Sequence, residues 1–125
     1  MNLVVYEHIT SGALCDEPLL SSLAHEGEMM LSAILQDLLE LSQIQITILR
    51  DARLTPPAWM ISSSRITINT CANPQEFKQQ WWECLENHAF FLLIAPETDN
   101  VLCSLQQQVL AAGKTYLGCS AEATR

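Results

Sequence analysis

The sequence predicts one α/β domain, a Rossmann-like, mostly parallel five-stranded sheet with helices on both faces. Three observations lead there. Short apolar or β-branched runs alternate with longer stretches of helical periodicity, in the order strand, helix, strand, strand, helix, strand, helix, strand. Residues 3–6 and 89–94 are apolar without a break, the pattern of strands buried on both faces. The 125 residues, 49% apolar and 16% charged, are enough for one packed core and too few for two ordinary domains. The alternation implies right-handed crossovers between parallel strands.

Taken in order, residues 3–6 give the first strand, and residues 7–13 a polar turn that carries Gly12. Residues 15–20 hold Pro18 and read as irregular. Ser21 and Ser22 offer N-caps for a helix running to about residue 41. Met30, Ile34, Leu38 and Leu41 recur on one side of it, Leu31 and Leu35 widen that stripe, and Asp37 and Glu40 fall opposite. Gly27 sits in its first turns, where glycine costs about 1 kcal/mol relative to alanine, so a close approach of backbone to the sheet or to a ligand is expected there. Residues 45–49 alternate and are β-branched, a second strand that ends at Arg50 and Asp51. The link with Pro56 and Pro57 shows no helical pattern, and residues 65–69 give a third short strand.

Asn73, Pro74 and Glu76 form the strongest local signal: a cap, a proline at the first helical position, and a carboxylate that reaches back. Phe77, Trp81, Cys84, Leu85 and His88 then share one side of a helix ending near Asn87. Trp82 points elsewhere and is expected at a sheet edge or an interface. After the central strand at 89–94, Thr98 or Asp99 caps a third helix with the stripe Leu102, Leu105, Val109 and Ala112, ended by Gly113. Residues 115–117 are the last strand.

Fourteen acidic residues against six basic ones give a net charge of -8, which repels phosphate backbones and anionic headgroups; neither nucleic acid nor a membrane is an expected partner. No apolar run approaches the roughly 18 residues that span a bilayer, and residues 1–7 lack the basic start of a signal peptide, so the expected location is cytoplasmic. Cys15, Cys71, Cys84, Cys103 and Cys119 are scattered without a C-x-x-C pair, which reads as reduced thiols rather than a disulfide framework or a zinc site.

In an open α/β sheet, ligands gather at the carboxyl ends of the strands where the strand order switches direction. In a usual doubly wound order the first and fourth strands meet there. Their exits are the two most polar loops, Glu7, His8, Ile9, Thr10, Ser11, Gly12 and Pro96, Glu97, Thr98, Asp99, Asn100. Carboxylates and hydroxyls there can orient an amine, and helix N–H groups can take a carboxylate. The same residues have a purely structural reading, Thr98 and Asp99 as caps and Gly12 as a turn residue. No G-x-G-x-x-G or P-loop occurs. His8, His25 and Cys15 match no zinc spacing, so no metal site is predicted. Cys15 with His8 is the one arrangement open to a nucleophile, and His88 at a helix end suits the helix dipole.

Three stretches also resemble a family. They are Val5-Tyr6-Glu7-His8-Ile9-Thr10-Ser11-Gly12; Pro18-Leu19-Leu20-Ser21-Ser22-Leu23-Ala24-His25-Glu26-Gly27 with Met29-Met30-Leu31; and Leu93-Ile94-Ala95-Pro96-Glu97-Thr98-Asp99-Asn100-Val101-Leu102, extended by Gly118-Cys119-Ser120-Ala121-Glu122-Ala123. In that order they are similar to the amino-terminal, pre-ATP-grasp domain of ATP-grasp proteins of the tyramine–glutamate ligase type, which act in methanofuran biosynthesis. The resemblance implies an enzyme that joins a carboxylate to an amine through an acyl-phosphate, with ATP and magnesium as cofactors of the full-length family. It carries over Glu7, Thr10, Ser11, Gly12, Glu26, Gly27, Glu97, Thr98 and Asp99 as substrate-side positions and names no catalytic residue.

The family continues past Glu122-Ala123 into an Asp-Lys motif, a glycine-rich phosphate loop and metal-binding carboxylates, whereas this sequence stops at Arg125. No residue of it is assigned to ATP or Mg²⁺. The implied partners are therefore the remaining ATP-grasp lobes, in cis or in trans, and a small-molecule substrate; alone, the domain is expected to be inactive. The competing expectation is a stand-alone small-ligand-binding or protein-interaction module, with a homodimer as one form. A small hydrolase or transferase built on Cys15 and His8 is the third.

Overall fold

Parallel strands need long crossovers, and four of them join the strands of this sheet. The structure, a computed structural model, describes residues 1–96 and 98–120, and for residues 99 and 118–120 the backbone alone. Its strands are β1 (Asn2–Glu7), β2 (Gln45–Asp51), β3 (Ile66–Cys71), β4 (Phe90–Ala95) and β5 (Thr115–Ser120). They lie in the order β3-β2-β1-β4-β5, and every neighbouring pair is parallel, the third strand included. The register sets Val5 beside Ile48 on one side and Leu92 on the other. This is the predicted α/β class, with β1 and β4 adjacent at the point where the strand order reverses. The central strand is β1, and not β4 as the apolar run at 89–94 suggests: an unbroken apolar run marks burial on both faces, which a strand one place from the edge also has.

Strand parity divides the core in two. Val4 and Tyr6 face α3 (Pro74–Asn87) and α4 (Val101–Ala111), among Trp81, Leu85, Leu102 and Val109. Leu3 and Val5 face α1 (Ser21–Leu39) and α2 (Ala58–Ser62), among Leu31, Leu35 and Met60. The five-residue α2 lies where the sequence shows no helical pattern; one turn following Pro57 is too short to display a period, and Met60, fully buried, holds it to the sheet.

The helix ends separate local signals from tertiary ones. Asn73 caps α3 as predicted, accepting from Glu76 N at 2.9 Å, while the Glu76 carboxylate accepts from Ala72 N, one residue before the cap. Gly113, at φ 76°, ends α4: its N–H and that of Lys114 donate to Leu110 O and Val109 O, a Schellman closure. The other two starts differ from expectation. Leu20, in extended conformation with no side-chain cap, precedes α1, and Ser21 and Ser22 lie inside the helix; the docking of buried Ala24 and Gly27 on the sheet fixes that start. Before α4, Thr98–Asn100 form a 3-10 turn, and Asn100, left-handed at φ 58°, takes the cap position with no side-chain bond. Neither Thr98 nor Asp99 occupies that cap position. Ala112, expected in the buried stripe, is exposed because it follows the last helical residue. Among the described residues no helix is long and apolar enough to cross a membrane.

Candidate functional site

Glu7 is the last residue of β1, and parity turns it to the α1 side, as it does Val5. Its residue is 2% exposed. Thr10 N and Thr10 Oγ1 both donate to Glu7 Oε1, each at 2.8 Å. Opposite, α1 passes so close that a Cβ added to Gly27 would lie 2.6 Å from the same oxygen. The close approach anticipated at this glycine is therefore to the last side chain of the central strand. Burial pushes the Glu7 carboxyl above its ordinary value, the Thr10 bonds oppose that rise, and the charge of Glu28 adds to it.

The rest of the loop is tied to both neighbouring strands. Thr10 O accepts from Asp51 N at 2.7 Å, and His8 N donates to Ile94 O at 2.9 Å. Ser11 Oγ donates to His8 O and accepts from Ala13 N, both at 3.1 Å. Gly12 is at φ 97°, and a Cβ there would meet Cys71 Cβ at 2.8 Å. Thr10, Ser11 and Gly12 thus hold the β1 exit in shape, with Thr10 and Ser11 fully buried.

Tyr6 OH lies 2.7 Å from Nδ1 of half-buried His8. Burial raises the phenol and lowers the imidazole, which favours the neutral form of both. Burial and the acidic residues Asp51 and Asp16 push the Cys15 thiol up, the reverse of an activated thiolate. With His8 bonded to Tyr6, the Cys15–His8 pairing has no geometric support.

The end of β2 holds what the sequence reading passed over. Arg50, 1% exposed, forks onto Glu28 of α1 at 2.8 and 2.6 Å and also donates to Leu54 O and Thr55 O. Above the pair lies a cleft of about 380 Å³ lined by Ser21, His25 and Thr55, among others. Asp51 is fully buried and accepts from Arg53 through its backbone N at 2.9 Å, Nε at 3.0 Å and Nη2 at 2.8 Å. Arg53 also donates to Leu14 O and Glu17 O, which pins the irregular segment before α1. Burial alone would raise Asp51, but the Arg53 bonds and charge outweigh it and hold the carboxyl below its ordinary value. The available signal was the pair Arg50-Asp51 closing a strand whose preceding residues are Ile48 and Leu49, since charges there need partners.

Of the substrate-side positions, Glu7, Thr10 and Gly27 meet directly, and Ser11 and Gly12 complete their loop. Glu26 stands beside Gly27 on the exposed side of α1, and Thr98 is exposed in the turn before α4. Glu97 lies outside the described residues, as does the side chain of Asp99. Among the described residues no hydrogen bond joins Glu26 or Thr98 to the β1 loop. Nor do any three His, Cys, Asp or Glu side chains gather into a metal-holding group among them.

Comparison with known protein families finds a match to a family model described as the pre ATP-grasp 3 domain, over residues 44–124. The match runs from the approach to β2 beyond β5 and contains Thr98 and Asp99, whereas Glu7, Thr10, Ser11, Gly12, Glu26 and Gly27 precede it. No curated protein and no solved structure matches the chain.

Proposed function

The chain belongs to the pre ATP-grasp 3 domain family, and on that premise we propose that it is the amino-terminal, substrate-side domain of an ATP-grasp carboxylate–amine ligase, similar to the tyramine–glutamate ligase group of methanofuran biosynthesis. Such an enzyme forms an amide while ATP is converted to ADP and phosphate. The observation that carries the reading is the order β3-β2-β1-β4-β5, which sets the Glu7 loop and the α4 start side by side at the switch of strand order. Glu7, Thr10, Ser11, Gly12 and Gly27 shape the floor of the substrate site. Exposed Glu26 and Thr98 form its rim, and the resemblance adds Glu97 and Asp99 as positions that recognise the amine or acid.

The described residues do not fit a triphosphate with its metal. Arg50 and Arg53, the cations at the strand ends, are committed to Glu28 and Asp51. Lys78 and Lys114 line a groove between α3 and α4, on the other side of the sheet from Glu7. ATP and magnesium are therefore assigned to further ATP-grasp lobes, in cis or in trans, and the domain alone is inactive. A surface for those lobes is open. On the α1 side, Ile94 at the end of β4 is buried in the core, but Phe90 at its start and Leu117 of β5 are 37% and 64% exposed. The apolar stripe of α1 also spreads through Leu23, Met30 and Ile34 on the flank opposite Glu28, that is, away from β2 and toward this face.

Thermal unfolding tests the assignment. Tyramine or glutamate, in excess over its dissociation constant, raises the midpoint, because a ligand bound only to the folded state stabilises it. ATP with magnesium leaves the midpoint unchanged and is not hydrolysed. A saturable shift with ATP and magnesium alone would place the nucleotide site in this chain and sink the reading.

A further inference from the structure

On α3, Lys78, Trp82 and Glu86 stand four residues apart and so line up along one exposed stripe, its ends about 12 Å apart along the helix axis. Trp82 is 62% exposed, a large apolar surface for a side chain at mid-helix. All three line an open groove of about 780 Å³ between α3 and α4, with Trp81, Leu85 and Ala111 also in its walls. The groove is held in shape by Trp81 Nε1, which donates to Gln108 Oε1 across the two helices at 2.7 Å.

The charge distribution selects the occupant. The chain carries -8, so two copies repel at most orientations. Among the described residues, Arg50 and Arg53 are spent on Glu28 and Asp51, and Arg65 on Leu39 O and Leu41 O. Both lysines of the chain line this one groove. Here the two lysines and the carboxylate of Glu86 surround an apolar centre, and the stripe reads plus, apolar, minus. Reversing such a stripe end for end about its middle gives its own complement.

We propose that α3 packs antiparallel against α3 of a second copy of this chain, about a two-fold axis through Trp82. In that arrangement Lys78 of each protomer faces Glu86 of its partner, and the two indoles meet over the apolar walls of the groove. A two-fold interface must be self-complementary, and a buried tryptophan at its centre is the usual energetic anchor. The inference is independent of the ligase reading, because this face is on the opposite side of the sheet from Glu7 and from the exposed part of β4 and β5.

Sedimentation equilibrium over a micromolar concentration series, at low and high salt, tests it with four variants. The wild-type chain sediments as a dimer, and Trp82→Ala as a monomer. Lys78→Glu and Glu86→Lys each weaken dimerisation about tenfold or more, since symmetry doubles every like-charge contact. The double variant recovers to within about threefold of wild type, because the exchanged charges again face opposite partners. All three positions are exposed, so circular dichroism and thermal midpoints stay at wild-type values. A wild-type chain that stays monomeric throughout overturns the proposal, as does a dimer indifferent to the charge reversals. Single reversals that weaken association without recovery in the double variant overturn it as well.

Discussion

Glu7 closes β1 and Asp51 closes β2 one strand away, and both carboxyls are almost wholly removed from water. Asp51 is met by the guanidinium and backbone N–H of Arg53 and falls below its ordinary pKa. Among the described residues Glu7 meets no cation; the Thr10 hydroxyl and N–H bond it, and burial lifts it above its own. Beside Asp51, Arg50 repeats the paired arrangement with Glu28. The β2 end therefore spends its polar groups on fixing α1 and the segment before it. The β1 end keeps an uncompensated acid under the first turns of α1, and groups perturbed by burial in this way collect at functional sites more often than elsewhere.

The largest effect should come from breaking the paired side. Glu28→Ala leaves Arg50, 1% exposed, without its carboxylate, and a buried charge stripped of its partner costs roughly 3–5 kcal/mol. Urea unfolding at neutral pH should show the loss as a lower midpoint with an unchanged slope. A loss under about 1 kcal/mol would mean that Leu54 O and Thr55 O satisfy Arg50 by themselves, and that the ion pair is not what distinguishes this strand end.

Gly27→Ala probes the unpaired side. In an open helix the change stabilises by about 1 kcal/mol. Here the new Cβ meets Glu7 Oε1, and that carboxylate cannot swing away without giving up both Thr10 bonds. The expected result is a net destabilisation of about 1–3 kcal/mol, as for overpacked cores. Made in a Glu7→Ala background, the same substitution should cost less by at least about 0.5 kcal/mol, since the two sites share one contact. Equal costs in both backgrounds would show that the glycine serves something other than Glu7.

These two strand ends also mark how far the sequence could be read. The parallel sheet was legible because unbroken apolar runs such as 89–94 admit few alternatives, and α3 because its cap, proline and carboxylate are all local. The starts of α1 and α4 were not, since Ser21, Ser22, Thr98 and Asp99 are good caps whose use depends on where the helix docks. Gly27 announced a close approach without saying to what. Arg50 and Asp51 were visible as residues, but their partners are 22 residues back and two residues on, and only the fold decides which carboxylate a guanidinium reaches. The self-complementary stripe on α3 is readable as a spacing once Lys78 and Trp82 are known to be exposed.

The smallest effect is the one that sets the two carboxyls directly against each other, through pH. Glu7 has a folded pKa above its ordinary 4.5, so the folded state binds its proton more tightly than the unfolded chain does. Its contribution to stability is full below about that value and is lost as pH rises through the folded pKa. Asp51 has a folded pKa below its ordinary 3.8, and its contribution is present above that value and lost as pH falls through the folded pKa. Glu7→Gln keeps an oxygen for the Thr10 donors and removes the charge, so its stability relative to wild type should climb as pH rises from acid toward neutral. Asp51→Asn should be the less stable variant at neutral pH, and its deficit should shrink in acid. Urea midpoints for the three proteins across that range give two difference curves, and the curves should diverge as pH rises. Parallel curves would mean that Glu7 is not held differently from Asp51, and the contrast between the two strand ends would then lie in their partners alone.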